Sequence, residues 1–137
     1  MKKDIADKWI KALRSSKYKQ GQYMLEYVDK KSTRYCCLGV LCDLYQQEQR
    51  AKKKKTLKSR LVNDCAYTYD RVVYGKDNFD HLPRAVQKWA GIKDSVGEFK
   101  FSNEDTMGYS SLAELNDQAC YNFKQLAKFI ESNYEHL

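Results

Sequence analysis

Basic and aromatic side chains are mixed in a short stretch of the sequence that follows the first predicted helix. Arg14, Lys17, Tyr18, Lys19 and Gln20 all lie within residues 14–20. Arginine and lysine pair with phosphate groups, and a tyrosine ring stacks on a nucleobase. The stretch therefore predicts a patch that binds an anionic ligand carrying a ring. The alternative is that the 11 tyrosines are half-buried rim residues with solvated phenol groups.

Other segments of the chain are predicted to contribute to the same patch. Arg34 and Tyr35 repeat the basic–aromatic pairing, as do residues 69–71, and Asn116 and Asp117 offer polar groups that read the edges of a base. In this interpretation an arginine pairs with phosphate and a tyrosine stacks. The predicted ligand-binding residues are Arg14, Tyr18, Lys19, Gln20, Arg34, Tyr35, Asn116 and Asp117.

Two adjacent cysteines at a predicted strand-to-helix junction are the candidates for catalysis. A thiol of Cys36 or Cys37 at a helix N-terminus would have a lowered pKa, as the nucleophile of papain-like hydrolases does. Its base would have to be His81, oriented by a polar side chain, because His136 is the penultimate residue. No other feature supports this pair. We therefore expect a protein without catalytic residues, and a cysteine hydrolase stays open as the alternative.

The spacings typical of nucleotide loops and zinc sites are missing from the sequence. The six glycines match neither nucleotide-binding fingerprint, and the five cysteines include no CxxC pair. Cysteines in an odd number, two of them adjacent, are expected to be reduced and buried. The acids at 104–105 and at 77 and 80 are expected to be solvated or capping residues. We predict neither a metal nor a cofactor.

The net charge of +7 comes from a single segment. Residues 50–60, from Arg50 to Arg60, hold seven bases and no acid, so the remainder of the chain is neutral. Such a run predicts a solvated, mobile loop that attracts polyanions without specificity. The longest apolar stretch, 35–42, is far shorter than the roughly 20 residues of a membrane span. With a charged N-terminus, the chain is expected to have no leader, to bind no membrane and to stay in the cytoplasm.

The order of the predicted elements favours an α+β fold. A single domain, 1–137, is expected to contain a small, mainly antiparallel sheet packed against about four helices, because strands and helices do not alternate regularly. A capping box at Ser111 and a glycine cap at Gly91 mark helix ends. The predicted helices begin near residues 4, 38, 83, 111 and 123, and the predicted strands are 22–28, 33–37, 67–74 and 96–101.

Several sequence blocks resemble a family of small bacteriophage proteins. The most specific block is Tyr-Cys-Cys-Leu-Gly-Val-Leu-Cys-Asp-Leu at 35–44, and further blocks at 9–20, 82–91, 112–117 and 123–131 extend the match over nearly the whole chain. Ser16 and Ala119 stand where the family pattern has glycine, which affects the expected turn geometry. The resemblance implies an accessory phage protein that acts in the host cytoplasm.

This origin suggests what the basic–aromatic patch is for. Small phage proteins made early often blunt host defence, and sequestering a nucleotide signal is one physical way to do so. We therefore expect a non-catalytic protein that binds a small anionic nucleotide. Two alternatives stay open: an inhibitor that docks on a host enzyme, and a weak, non-specific nucleic-acid binder that uses the basic run 50–60. Whether a second copy of the chain helps to enclose the ligand is also left open.

Overall fold

The N-terminal helix forms where the spacing of apolar residues predicts it. In the computed structural model, which describes residues 1–30, 32–63, 69–100 and 106–137, helix α1 spans Lys3–Arg14. Ile5, Trp9 and Leu13 form its buried stripe. The indole N–H of Trp9 donates to the carbonyl oxygen of Cys37 at 3.0 Å. This bond ties α1 to the start of the second helix.

A five-stranded sheet forms the other part of the domain. The strands lie in the order β1-β3-β2-β5-β4. The β1–β3 pairing is parallel, and the three other described pairings are antiparallel, so the prediction of a mainly antiparallel sheet is confirmed. The strands are β1 (Lys19–Gln20), β2 (Glu26–Asp29), β3 (Ser32–Tyr35), β4 (Ser59–Asn63) and β5 (Tyr69–Tyr74).

Helix α2 (Cys37–Ala51) follows β3 almost without a connection. Its first turn lies directly against the backbone that leads into β2, since a Cβ atom at Gly39 would overlap the carbonyl group of Leu25. Glycine is therefore required at this crossing. The basic run is divided among elements: Arg50 belongs to the last turn of α2, residues 52–58 form a connection, and Arg60 belongs to β4.

Two predicted helix-end signals, the glycine at Gly91 and the capping box at Ser111, are confirmed. Helix α3 (Arg84–Ala90) ends at Gly91, which has a left-handed φ of 72°. Helix α4 (Leu112–Asp117) begins with a capping box between Ser111 and Glu114. Helix α5 (Phe123–Asn133) begins with a second capping box at Asn122 and continues into a 3-10 turn, Tyr134–His136.

The predicted strand at 96–101 does not form over its described part, 96–100. The carboxylate of Asp94 accepts hydrogen bonds from the backbone N–H groups of Val96 and Glu98, which curls the chain. Within the described residues 96–100, the only strand-like feature is a single bridge between Glu98 and Ser111. The alternation of apolar and charged residues predicted a strand. The Asp94 carboxylate instead binds backbone N–H groups that a neighbouring strand would otherwise use.

The helices cover one face of the sheet. Val72 and Tyr74 of β5 belong to the buried core, together with the apolar stripes of α1, α2 and α5. Tyr27 and Arg71 are half-buried and lie outside this core. The result is a single α+β domain, as predicted. Among the described residues, no helix has the length and apolar composition that crossing a membrane requires.

Candidate binding groove

A groove of about 560 Å³ lies between α1 and α2, with Trp89 of α3 in its wall. This volume is within the range of small-molecule sites. Ala12, Leu44 and Ala51 supply aliphatic surface, and Tyr18 and Trp89 supply rings. A flat, partly apolar molecule would therefore find a fitting surface here.

Three lysines and one carboxylate set the charge of the groove. Lys8, Lys11 and Lys17 line it together with Glu48. Glu48 accepts hydrogen bonds from Lys52 at 2.5 Å, from Lys8 at 2.9 Å and from the indole of Trp89 at 3.2 Å. These bonds lower the pKa of Glu48 to about 2, so it is ionised at neutral pH. The groove still has an excess of positive charge.

The position of Tyr18 is fixed by bonds inside the protein. Its phenol donates to Oδ2 of Asp43 at 2.7 Å and accepts from Nε2 of Gln47 at 3.1 Å. Its ring stands edge-on to the ring of Tyr35, with centroids 5.3 Å apart. Burial and Asp43 raise the pKa of Tyr18 well above its usual value. The residue is 9% exposed, and Lys17 Nζ lies 5.2 Å from its ring centroid, so Tyr18 offers the groove a neutral apolar edge beside a cation.

Asn116 is fully buried and connects three elements. Its Oδ1 accepts from the backbone N–H of Cys37 at 3.2 Å and from Nε2 of Gln20 at 3.1 Å. Its Nδ2 donates to the carbonyl oxygen of Gly21 at 3.0 Å and to Oδ1 of Asp117 at 2.6 Å. Both polar atoms of the side chain are thus used within the protein, although Asn116 was predicted to contact ligand.

The other predicted residues beside β1 lie at a small polar cleft. Gln20 and Arg34 line a cleft of about 270 Å³ that also includes Tyr27. Gln20 donates to the carbonyl oxygen of Tyr121 at 2.7 Å, and its backbone oxygen accepts from Arg34 at 3.2 Å. Lys19 is exposed on β1. This cleft is lined by different residues from the groove.

Arg14 lies apart from both places. It forms a two-pronged ion pair with Glu131 of α5, at 2.5 and 3.1 Å, which raises the pKa of the guanidinium. The structure therefore does not gather the eight predicted residues into one pocket. Sequence reasoning also missed the contribution of Trp89. The i, i+3 spacing of Lys8 and Lys11 on the polar side of α1 was the available signal.

The predicted cysteine–histidine pair lacks the properties of a nucleophile and its base. Cys36 and Cys37 are buried, and burial raises the pKa of Cys36 to about 12 and that of Cys37 well above its usual value. The thiol of Cys37 donates to the carbonyl oxygen of Leu112. His81 is exposed, with Nδ1 2.6 Å from Asp80. The thiols of Cys36 and Cys37 are therefore protonated at neutral pH, and neither provides a thiolate nucleophile.

The structure describes some of the remaining candidate acids and cysteines but not all of them. Asp77 is exposed and lies 3.5 Å from Arg60. In the part of the chain that the structure describes, no three metal-ligating side chains converge. Cys65 and the acidic pair Glu104 and Asp105 fall outside the described residues.

A comparison with protein-family models covers nearly the whole chain. A family model described as a domain of unknown function, DUF8296, matches residues 1–134. No curated protein and no solved structure matches the chain at a significant level. The matched region includes every helix and strand given above, so the groove lies entirely within it.

Proposed function

The chain belongs to the DUF8296 family, and we propose that it is a non-catalytic protein that sequesters a small anionic nucleotide. The groove between α1 and α2 is the binding site in this proposal. Its combination of aliphatic surface, two rings and an excess of lysines supports the choice of ligand. A nucleotide needs both an apolar surface for its base and cations for its phosphates.

The lysines have distinct roles in this proposal. Lys8 is paired with Glu48, so Lys11 and Lys17 are the cations that meet the phosphates. The ring of Trp89 is held by an edge contact with Tyr45, with centroids 5.5 Å apart, and by its bond to Glu48. It is the rigid surface against which a base would stack. Hydrogen bonds to charged groups contribute about 1.5–3 kcal/mol each, so losing one lysine should weaken binding about tenfold or more.

Sequestration requires no chemical step. The resemblance to small phage proteins suggests the setting: a protein made in the infected cell binds a nucleotide signal in the host cytoplasm and lowers its free concentration. The ligand should leave the protein chemically unchanged when the protein is denatured. This outcome separates a binding protein from a hydrolase.

Thermal unfolding with a panel of nucleotides tests the proposal. The panel should include linear, cyclic and ADP-ribose-type compounds. A ligand present at about 100 times its Kd stabilises the folded state by about 2.7 kcal/mol, which raises Tm measurably. Lys11→Gln and Lys17→Gln should reduce the shift, whereas Lys124→Gln, an exposed lysine on α5, should not. No shift with any nucleotide, together with no nucleotide in the denatured protein, contradicts the proposal.

A second candidate function is inhibition of a host enzyme by direct docking. The exposed ring of Tyr23 favours it, since 64% of this residue is accessible and tyrosine is a common interface anchor. Its backbone has a left-handed φ of 65° and is held by Asp117, which accepts from the Tyr23 N–H at 3.0 Å. Tyr23→Ser should then abolish co-purification of one stoichiometric host protein without lowering Tm. Unchanged co-purification contradicts this role.

A further inference from the structure

A row of cationic and aromatic side chains crosses the sheet on the side away from the helices. Strand pairing places Lys19 opposite Arg34, Arg34 opposite Tyr27, and Tyr27 opposite Arg71. Residues directly opposite each other on neighbouring strands project to the same side of a sheet. The four side chains therefore share one surface, which we call the outer face.

The two faces are distinguished by adjacent residues of β5. Arg71 and Val72 project to opposite sides of the sheet, and Val72 belongs to the buried core. Val73 projects to the outer face and is itself buried, so this face is covered at that position. Tyr74 is also a core residue, and its phenol donates to Glu26 at 2.7 Å on the side covered by α2. Of the described residues, Phe79 lies against the outer face, with its ring centroid 4.7 Å from the guanidinium carbon of Arg71.

Two tyrosine rings form an aromatic pair on the outer face. The centroids of Tyr27 and Tyr69 are 4.8 Å apart, and the rings are tilted by 43°. Both residues are half-buried, so each keeps some accessible surface. Burial raises the pKa of Tyr27 above its usual value, so its phenol is neutral at physiological pH. The pair provides an apolar, uncharged platform on an otherwise basic surface.

Cations stand on both sides of this platform. Neighbouring strands are about 4.8 Å apart, so Arg34 and Arg71 are about 10 Å apart across Tyr27. Arg34 is 40% exposed and lies 3.7 Å from Asp29. Arg34 pairs with this carboxylate, and the exposed Lys19 beside it on β1 adds a further cation to the face.

The basic connection reaches the outer face at the β4 edge. Arg60 pairs with Val73 and so projects to the outer face, where its guanidinium donates to the carbonyl oxygens of Gly75 and Lys76 and lies 3.5 Å from Asp77. The carbonyl oxygen of Lys58 accepts from Gly75 at 2.9 Å, which holds the end of the connection beside β5. Residues 52–58, with five lysines and no acid, therefore extend the positive surface beyond the sheet.

We propose that the outer face and residues 52–58 bind single-stranded nucleic acid. Bases stack on the Tyr27–Tyr69 pair, and Lys19, Arg34 and the lysines of residues 52–58 contact the phosphates. Accessible stacking rings are of use only to unstacked bases, so a single strand fits this surface better than a duplex. An acidic peptide would use the cations but not the rings. This site is separate from the groove, which lies among the helices.

Fluorescence anisotropy with the full chain tests this site. The probe is a labelled oligodeoxythymidine of about twelve nucleotides, compared with a duplex of equal length. We expect tighter binding of the single strand. Tyr27→Leu should weaken it about 5-fold to 100-fold, the range for loss of one stacking contact. Arg34→Gln should also weaken it and reduce the salt slope by about 0.7, the value for one phosphate on a single strand.

Matched variants separate this site from other causes. Lys124→Gln on α5 and Lys11→Gln in the groove should bind the oligonucleotide as the unmodified protein does, and a thermal melt of each variant checks folding. Equal affinity for single strand and duplex overturns the proposal. So does normal binding by folded Tyr27→Leu and Arg34→Gln proteins, or equal affinity for a poly-glutamate peptide. None of these results affects the shifts in Tm on addition of nucleotide, which test the groove.

Discussion

Replacing Asn116 with alanine is expected to destabilise the domain strongly. The side chain is fully buried and serves two buried backbone groups, the N–H of Cys37 and the carbonyl of Gly21. The Cys37 N–H belongs to the first turn of α2, where no helical partner exists, and the N-cap residue Cys36 supplies no side-chain cap. Asn116 therefore caps α2 from a distant helix.

The size of the effect follows from the groups left without a partner. A buried donor or acceptor that loses its hydrogen bond costs about 1–3 kcal/mol, so two such groups predict a loss of about 2–6 kcal/mol. The amide of Gln20 keeps its bond to Tyr121 and adds little to this figure. Natural domains have free energies of unfolding of about 5–15 kcal/mol, so the variant should be close to unfolding.

Urea denaturation followed by circular dichroism measures this difference. Asn133→Ala is a suitable control, because Asn133 makes a side-chain bond to its own helix, to the Phe129 carbonyl at 2.8 Å, and should lose about 1 kcal/mol or less. Asn116→Asp keeps the acceptor for Cys37 but places a carboxylate beside Asp117. The free energy of unfolding of Asn116→Asp should approach that of the unmodified protein as the pH is lowered and the new carboxyl is protonated. An Asn116→Ala protein no less stable than Asn133→Ala refutes the capping role.

Three further predictions concern packing, acid stability and thiol reactivity. Gly39→Ala should abolish soluble expression, because its methyl group meets the Leu25 carbonyl, whereas Gly75→Ala, with open space around it, should cost only about 1 kcal/mol from backbone strain. The pKa of Glu48, about 2 against an ordinary 4.5, means that its stabilising effect is present above about pH 4.5 and is lost towards pH 2. Between about pH 4.5 and pH 2, the free energy of unfolding of Glu48→Gln should therefore fall less than that of the unmodified protein. Alkylation mapped by mass spectrometry should modify the exposed Cys120 in the native protein. Modification only after denaturation is expected for Cys36, Cys37 and Cys42.

Helix positions and fold class were predictable because the signals are local. The stripe on α1, the capping box at Ser111 and the glycine end at Gly91 depend on neighbouring residues alone. Strand β4 escaped prediction because it is an exposed edge strand without a buried side to produce alternation. The two-residue strand β1 is too short to leave a periodic pattern.

The candidate sites were harder to predict because they depend on distant pairings. Arg14 looked available in the sequence, but Glu131, 117 positions away, holds its guanidinium. Asn116 looked like a reader of ligand edges, but a buried side chain must satisfy its own hydrogen bonds before it can serve a ligand. Conversely, the outer-face row combines residues from four strands, and the register that aligns them is set only when the sheet forms.

The most distinctive sequence block, 35–44, proves to organise packing rather than chemistry. Tyr35 supports the ring of Tyr18, the N–H of Cys37 is capped by Asn116, and Asp43 accepts from the Tyr18 phenol. Tyr35 of β3 and Asp43 of α2 together fix the side chain of Tyr18, which forms part of the groove wall. Tyr35, Cys37 and Asp43 are thus committed to internal partners, whereas Leu44 at the end of the block lines the groove. Substitutions at Lys11 or Arg34 should therefore change ligand binding with little effect on stability, whereas substitutions at Cys37 or Asp43 should mainly lower stability.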